Sequence, residues 1–487
     1  MQKLPIKLYR AAQVRELDRL AIEEHGIPGI ELMTRAGDAL FQSLQNHWPQ
    51  ARSLAVFCGA GNNGGDGYIV ARLALVAGYQ VTVYAVSDPE QLKGDARIAW
   101  QQFVDAGGRI VSFNAGLAID ADIIVDALLG TGLDRLVTGD YADAIAAINA
   151  NPAKVLAVDI PSGLHADTGN VLGDAVIADV SVTFIGLKQG LFTGLAADYC
   201  GEIEFASLAV PDAIFDQVQA SAARVIYQPI NPRKRCAHKG HNGHVLVVGG
   251  DTGYSGAARL AAEAALRVGA GLVSVATRSE HAGWMNLNRP ELMCHGVESA
   301  QQLLPLLAKA SVIVLGPGLG QGEWALALFN ALISLDKPVV IDADGLNLLA
   351  AFPVKHYNRV LTPHPGEAAR LLNCSTADVQ QDRFAAAVAI QAKYGGVAIV
   401  KGAGTVIASE YEVAVSSTGN PGMASGGMGD VLAGVIGGLL AQGQSLQQAT
   451  QQGVYIHGLA ADKAAQQGGE RGLLASDLMS YLRILVN

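Results

Sequence analysis

The sequence predicts an α/β protein built as two successive doubly wound domains, and three observations carry that prediction. The chain of 487 residues exceeds what one hydrophobic core usually organises. Half of its residues (50%) are hydrophobic, 16% are charged and 57 are glycine, a composition of compact α/β protein rather than disorder. Short β-branched runs alternate with helical apolar patterns, and each run ends in a polar or glycine-rich loop, where parallel sheets carry their ligands.

The first half opens this pattern with "SLAVFC", the loop "GAGNNGGDG", the apolar-faced helix "GYIVARLALVAG" and the strand "QVTVYAV", a βαβ unit. Buried-strand runs follow in "ADIIVDAL", "KVLAVDIPSG" and "DVSVTFIG", so the N-terminal domain, residues 1–215, reads as a Rossmann-like doubly wound sheet. Periodicity breaks between 211 and 243, where spaced prolines and a basic cluster mark the domain junction. A second α/β series, residues 225–487, runs through "HVLVVGG", the helix "SGAARLAAEAALRVGAG", "LVSVAT", "SVIVLGPGLG", "PVVIDADGLNLL", "RVLTPHPGEAARLL" and "VAIVKGAG". No short-period repeat relates the halves, whose likeness is architectural.

A formal net charge of −10 argues against nucleic acid or an anionic membrane as the main partner, so an anionic ligand would need local traps. The 5 cysteines (Cys58, Cys200, Cys236, Cys294, Cys374) lack CxxC spacing and indicate neither a zinc site nor a disulfide framework. The N-terminus lacks a signal-peptide pattern and no apolar run is long enough to span a bilayer, so a soluble, cytoplasmic protein is expected.

In "GNPGMASGGMGDVLAGVIGGLLAQG", Val431, Leu432, Val435, Ile436, Leu439 and Leu440 recur at helical spacing, which puts Asp430 at a helix N-terminus. A helix cap would need only one small polar residue. Here Gly426, Gly427 and Gly429 also bare the backbone amides, making an anion hole with a carboxylate beside it. Such a pairing suits a base that deprotonates a hydroxyl while phosphoryl oxygens are held close. Three strand-end loops accompany it: "GPGLG" (Gly316 to Gly320), "TPHPGE", with His364 between prolines, and "KGAGT" (Lys401 to Thr405), with a lysine and bare amides suited to a nucleotide. Each also reads as an ordinary turn or capping loop. Asp342, Asp344 and Asn347 of "DADGLN" fit either structural strand-end acids or ligands that order Mg2+-bound water.

Taken in order, "KGHNGHVLVVGG", "GYSGAARLA", "GPGLG", "DADGLN", "TPHPGE", "KGAGT" and "NPGMASGGMGDVLAG" resemble the NAD(P)H-hydrate dehydratases of the ribokinase-like superfamily. The resemblance implies a C-terminal ribokinase-like domain in which ADP or ATP, with Mg2+, phosphorylates the hydroxyl of a hydrated cofactor, and loss of phosphate restores NADH or NADPH. It implies Asp430 as the base, Ala257, Gly318, His364 and Asp430 as hydrate contacts, and Lys401, Gly402, Ala403, Gly404, Thr405 and Gly429 as nucleotide contacts. Relatives in bacteria favour ADP as the donor.

In the first half, "GAGNNGGDG" fits G-x-G-x-x-G at Gly59, Gly61 and Gly64, with Asp88 beyond the next strand. A dehydrogenase would not need Asn62, Asn63 and Asp66 in that loop, and no hydride-transfer constellation accompanies it. "GNNGGDG", "VDALLGTGLDR" and "VDIPSGLHADTG" instead resemble the NAD(P)H-hydrate epimerases, so the whole chain resembles the bifunctional NAD(P)H-hydrate repair enzymes. This implies hydrate contacts from Asn62, Asn63, Gly64, Gly65 and Asp66, from Gly130, Thr131, Gly132, Leu133, Asp134, Arg135 and Leu136, and from Asp159. It also implies a K+ ion held by Asn63, Asp126 and Ser162, an oxygen set suited to a hard cation. Asp159 is the first choice for the group that helps hydroxide leave and return, with Lys188 second; the plain readings are a turn acid and a solvated strand-end lysine. The expected partners are NADHX, NADPHX and the nucleotide, with no nucleic acid and no membrane, and a homo-oligomer is expected. The rival reading is a vitamin-precursor kinase joined to a non-enzymatic binding module.

Overall fold

Runs of buried apolar residues give each half of the chain a parallel series of strands in a computed structural model that describes residues 4–487. The chain divides between Ala223 and Arg224, inside the segment where sequence periodicity is lost. In the first unit the strands are β1 (Lys7–Tyr9), β2 (Ser53–Cys58), β3 (Gln80–Ala85), β4 (Arg109–Ser112), β5 (Ile123–Ala127), β6 (Lys154–Val158), β7 (Val180–Phe184), β8 (Leu187–Lys188) and β9 (Glu202–Ala206). Its main sheet has the order β4-β3-β2-β5-β6-β7-β9 and every pairing is parallel. β5 and β7 are buried along their whole length, as continuous apolar runs must be when helices cover both faces. The short β1 pairs parallel with β8.

The helix after β2 spans Asn62–Val76, five residues earlier than the apolar pattern alone predicts, so Asn62 to Asp66 form its first turn rather than a loop. Missing side chains are the reason. A Cβ on Gly64 would lie 2.2 Å from the Gly59 carbonyl oxygen, and one on Gly65 would lie 2.7 Å from the Met33 side chain, so only bare backbone packs here.

From Arg224 onward the strands are β10 (Ala222–Arg224, which straddles the division), β11 (His244–Val248), β12 (Leu272–Thr277), β13 (Met293–Gly296), β14 (Val312–Leu315), β15 (Val339–Ile341), β16 (Arg359–Leu361), β17 (Val397–Val400), β18 (Thr405–Ala408) and β19 (Val413–Ser416). The order β13-β12-β11-β14-β15-β16-β17 is parallel, and β17-β18-β19 continue it as an antiparallel meander beside β10.

Each sheet reverses its winding once, between β2 and β5 in the first unit and between β11 and β14 in the second. Loops diverge at such a point and leave a crevice at the strand carboxyl ends. The motif loops sit there: a Cβ on Gly59 would lie 1.9 Å from the Leu128 carbonyl oxygen, and Gly250 and Asp251 donate backbone hydrogen bonds to Pro317 and Gly318.

Candidate active sites

In the C-terminal unit the helix Met428–Ala441 starts at Gly427, whose φ of 90° suits glycine and whose position as N-cap involves no side chain. Asp430 is therefore the third residue of the helix and does not cap it. The amides of Met428, Gly429 and Asp430 precede the first intrahelical acceptors and point out of the helix end. Lys401, after β17, reaches into the same corner: its ammonium donates to Asp342 Oδ1 at 2.9 Å and lies 3.9 Å from Glu367. Thr362 Oγ1 donates to the same Asp342 oxygen at 2.7 Å. A Cβ on Gly429 would lie 3.1 Å from Lys401 Nζ, so glycine is what lets the helix end approach the lysine.

Carboxyl groups outnumber the one ammonium here, with electrostatic consequences. Burial, reinforced by Asp342, Glu367 and Asp344 and opposed by Lys401, pushes the Asp430 carboxyl up to about 7. Burial disfavours the Lys401 charge, but Asp342, Glu367 and Asp430 outweigh it and raise the ammonium's pKa. A carboxyl poised near neutrality is what a general base requires.

The remaining predicted residues sit in the neighbouring strand-end loops. His364 begins the helix Pro365–Leu372: its Nδ1 accepts the Gly366 amide at 3.0 Å while Glu367 accepts the His364 amide at 2.8 Å, a reciprocal capping box. The ring is half exposed, so capping and ligand contact are compatible. Gly318 (φ 58°) meets Ala257, since its Cβ would lie 3.2 Å from that of Ala257. Gly402 to Thr405 form the β17–β18 turn, closed by the Thr405 hydroxyl donating to the Gly402 carbonyl at 2.9 Å. Arg383, not anticipated from sequence, is buried behind this turn and donates to the carbonyls of Ala403 and Val400. Asp344 accepts the Gly320 amide at 2.9 Å and Asn347 accepts from Arg370, so both brace loops.

In the N-terminal unit Asp126 is fully buried at the end of β5, with no role as a helix cap. It accepts the Ser162 amide (2.8 Å), the Ser162 hydroxyl (2.6 Å) and the Leu128 amide (3.2 Å). Burial pushes its carboxyl up to about 6, with these bonds opposing, and no cation pairs with it among the described residues. Asn63 packs against the following loop: a Cβ on Gly130 would come 3.1 Å from Asn63 Oδ1, and Asn63 Nδ2 is buried without a partner. The loop holding Thr131, Gly132, Leu133, Asp134, Arg135 and Leu136 continues from Gly130, with Leu136 66% exposed and the Thr131 carbonyl accepting from Arg15.

Asp159 follows β6 with φ 68°, a strained conformation for a non-glycine residue. It pairs with Lys188, accepts the Thr183 hydroxyl and Phe184 amide at 3.2 Å, and keeps a partly exposed edge. Lys188 is completely buried, which overturns the reading of a solvated strand-end lysine: it also donates to Thr183 (2.9 Å) and the Phe184 carbonyl (3.2 Å). Two further carboxyls face this pair. Burial, with Asp159 and Asp18 adding repulsion, holds Asp66 well above its ordinary value. Burial raises Asp18 to about 6, with Lys188 opposing. Asp18 lies on the helix Ala11–Arg19, far from any glycine motif, and nothing local in the sequence marks it. Asp88 caps a turn by accepting the Glu90 amide at 3.0 Å. Among the described residues, His47, Glu202 and Glu204 are grouped closely enough to hold a metal, but Glu202 begins β9, at the end of the sheet opposite these loops.

Comparison with known proteins joins the two sites. Residues 29–190 match the family described as YjeF-related protein N-terminus, and residues 245–483 match the family described as NAD(P)H-hydrate dehydratase. The bifunctional NAD(P)H-hydrate repair enzyme Nnr of Coxiella burnetii is 51% identical over 485 residues, covering 99% of each chain. The enzyme of that name from Escherichia coli is 46% identical over 488 residues, covering 99% of this chain and 95% of the relative. Among solved structures, the ADP/ATP-dependent NAD(P)H-hydrate dehydratase from Bacillus subtilis, co-crystallized with ATP/Mg2+, is 28% identical with a TM-score of 0.47, covering 53% of this chain and 93% of that one. With relatives this similar along almost its entire length, the chain belongs to the family of bifunctional NAD(P)H-hydrate repair enzymes.

Proposed function

We propose that the chain repairs hydrated NADH and NADPH: residues 1–215 interconvert the R and S hydrates, and residues 225–487 dehydrate the S hydrate at the expense of ADP or ATP. The observation that carries this reading is Asp430, a carboxyl pushed up to about 7 beside the bare amides of a helix N-terminus. Asp430 takes the proton of the hydrate hydroxyl as its oxygen attacks the terminal phosphorus of the nucleotide, and the amides from Gly427 to Asp430 hold the phosphoryl oxygens. The ring-nitrogen lone pair then expels phosphate with the C–O bond electrons, and loss of a proton from the adjacent carbon restores the double bond. Ala257, Gly318 and His364 line the hydrate side and Gly402 to Thr405 with Gly429 the nucleotide side. The Lys401 ammonium is committed to Asp342, so this residue serves the nucleotide through its backbone and steadies the acid cluster. The excess of carboxylates suits Mg2+ carried by the nucleotide, a hard cation that supplies charge neutralisation at the phosphates. ADP is the preferred donor by family resemblance.

In the N-terminal site, hydroxide must leave the ring and return on the other face. Asp159, paired with Lys188, is the group that helps hydroxide leave and return, and the neighbouring Asp66, whose carboxyl burial holds well above its ordinary value, stands beside the pair. Asn62 to Asp66 and Gly130 to Leu136 border the hydrate. The oxygens of Asn63, Asp126 and Ser162 fit K+, because a buried carboxylate with hydrogen bonds but no counter-charge is completed by a monovalent hard cation. We read the protein as cytoplasmic and homo-oligomeric.

Mixed hydrate epimers supplied with ADP or ATP and Mg2+ test the reading through reduced-nicotinamide absorbance. Recovery of absorbance from both epimers is expected; no recovery with either nucleotide refutes it.

A further inference from the structure

The loop from Gly419 to Gly427 leads into Asp430 and contains Gly419, Gly422, Gly426 and Gly427, so its own backbone supplies little rigidity. Rigidity comes from the helix Leu446–Gly468 and the turn beyond it. Thr418 donates its hydroxyl to the Tyr455 carbonyl at 3.0 Å. The Gly419 amide donates to Asp462 Oδ2 at 3.0 Å, and Asn420 Nδ2 donates to Asp462 Oδ1 at 2.9 Å. Asn420 Oδ1 in turn accepts the Gly422 amide at 3.0 Å. Ser425 donates to the Leu473 carbonyl at 3.1 Å. At the far end the buried His457 ring sits against the Met428 backbone, and its Nε2 has no partner. Tyr455, Gly458 and Asp462 recur at helical spacing on the face toward the loop, and Gly458 is bare because a Cβ there would lie 2.4 Å from the Thr418 hydroxyl.

We infer that Asp462 is a positioning residue for phosphoryl transfer, its carboxylate fixing Gly419 and Asn420 so that the loop amides stay aimed where phosphoryl charge develops, with His457 holding the other end. This rests on the dehydratase reading of the C-terminal site. Amides stabilise a transition state only if they need not reorganise when it forms, and a glycine-rich segment reorganises readily unless tied. A carboxylate can accept from both donors at once and is the strongest neutral-donor acceptor among the side chains. No part of Asp462 need touch the substrate.

The test uses the full-length chain, whose epimerisation serves as an internal control. In Asp462→Asn the amide keeps one acceptor but turns an NH2 toward a group that already donates. At saturating nucleotide and Mg2+, kcat for NADH recovery is expected to fall about tenfold or more, with R-to-S conversion unchanged. The reciprocal double variant D462N/N420D exchanges donor and acceptor, restores both hydrogen bonds, lets the carboxylate introduced at position 420 accept the Gly422 amide and keeps the net charge. It is expected to recover to within about threefold of the parent. A purely structural Asp462 would lower the melting temperature and leave kcat per folded molecule unchanged. Unchanged kcat in D462N, or no rescue in a double variant that melts like the parent, overturns the inference. If D462N does not fold, H457N, which keeps a polar group near the Met428 backbone, against H457L, which does not, decides it: loss of kcat in H457L alone supports the tie and equal kcat refutes it. Parent protein that regenerates no NADH refutes the dehydratase reading instead.

Discussion

If Asp430 is the base proposed above, its function is bought with stability. Its folded-state carboxyl sits at about 7 against an ordinary 3.8, so the native state holds a proton that the unfolded chain releases. Stability from this group is therefore greatest below the ordinary value and is lost as pH rises through about 7, whereas a base must be deprotonated, so the dehydration rate is expected to rise with pH through the same range. Asp430→Asn removes the proton acceptor but keeps shape: NADH recovery should fall by about a hundredfold or more while nucleotide binding and epimerisation persist. The same variant should melt about 2–4 °C higher at pH 8, measured by calorimetry, because a buried charge next to Asp342 and Glu367 is gone. Asp126 is a buried carboxyl of the opposite kind, which the proposed reading completes with K+. Asp126→Ala should slow epimerisation and remove its K+ dependence, with dehydration unaffected; equal epimerisation of the parent in K+ and in a bulky organic cation at matched ionic strength would contradict this.

At the scale of elements, the helix Met428–Ala441 explains how a loop end is driven into the crevice. The apolar spacing of Val431, Leu432, Val435, Ile436, Leu439 and Leu440 announces one buried stripe, yet the helix is buried around its full circumference from Val431 onward. Glycines make the second contact possible. A Cβ on Gly434 would lie 2.0 Å from the Ala261 carbonyl oxygen, and one on Gly437 would lie 2.5 Å from Val314, so the helix touches both the helix Ser255–Arg267 and the sheet through bare backbone. Gly434→Ala should destabilise the C-terminal unit by about 1–3 kcal/mol, by overpacking against backbone that cannot step aside, seen as a lower melting transition with epimerisation retained. The glycines were visible in sequence; that they mark a second packing face became visible only with the neighbouring helix in place.

At the scale of the whole molecule, each unit owns its core. The buried cluster of Val245, Val314, Ile436 and their neighbours draws on residues from Val225 onward, whereas those built on Val56, Ile69 and Val182 and on Phe57, Ile124 and Ile145 draw on residues up to Val218. Cutting after Ala223 should therefore give two pieces that fold separately, the first epimerising hydrates and the second regenerating NADH from the S hydrate with ADP or ATP. Two melting transitions and the separated activities check this; failure of both pieces to fold would mean a shared core. The sequence by itself determined the α/β class, the β-branched strands, the glycine-rich loops at their ends and the break between the halves, because strand and turn chemistry act over a few residues. Only tertiary structure decided who meets whom at the loop ends. Lys401, read as a nucleotide lysine, turns its ammonium to Asp342, 59 positions away. Lys188 is buried against Asp159, and Asp18 joins them from a helix that precedes every motif. Parallel winding gathers each set of groups at the crevice of its own unit from distant segments, and charges in low dielectric then choose partners by proximity, which local periodicity does not encode.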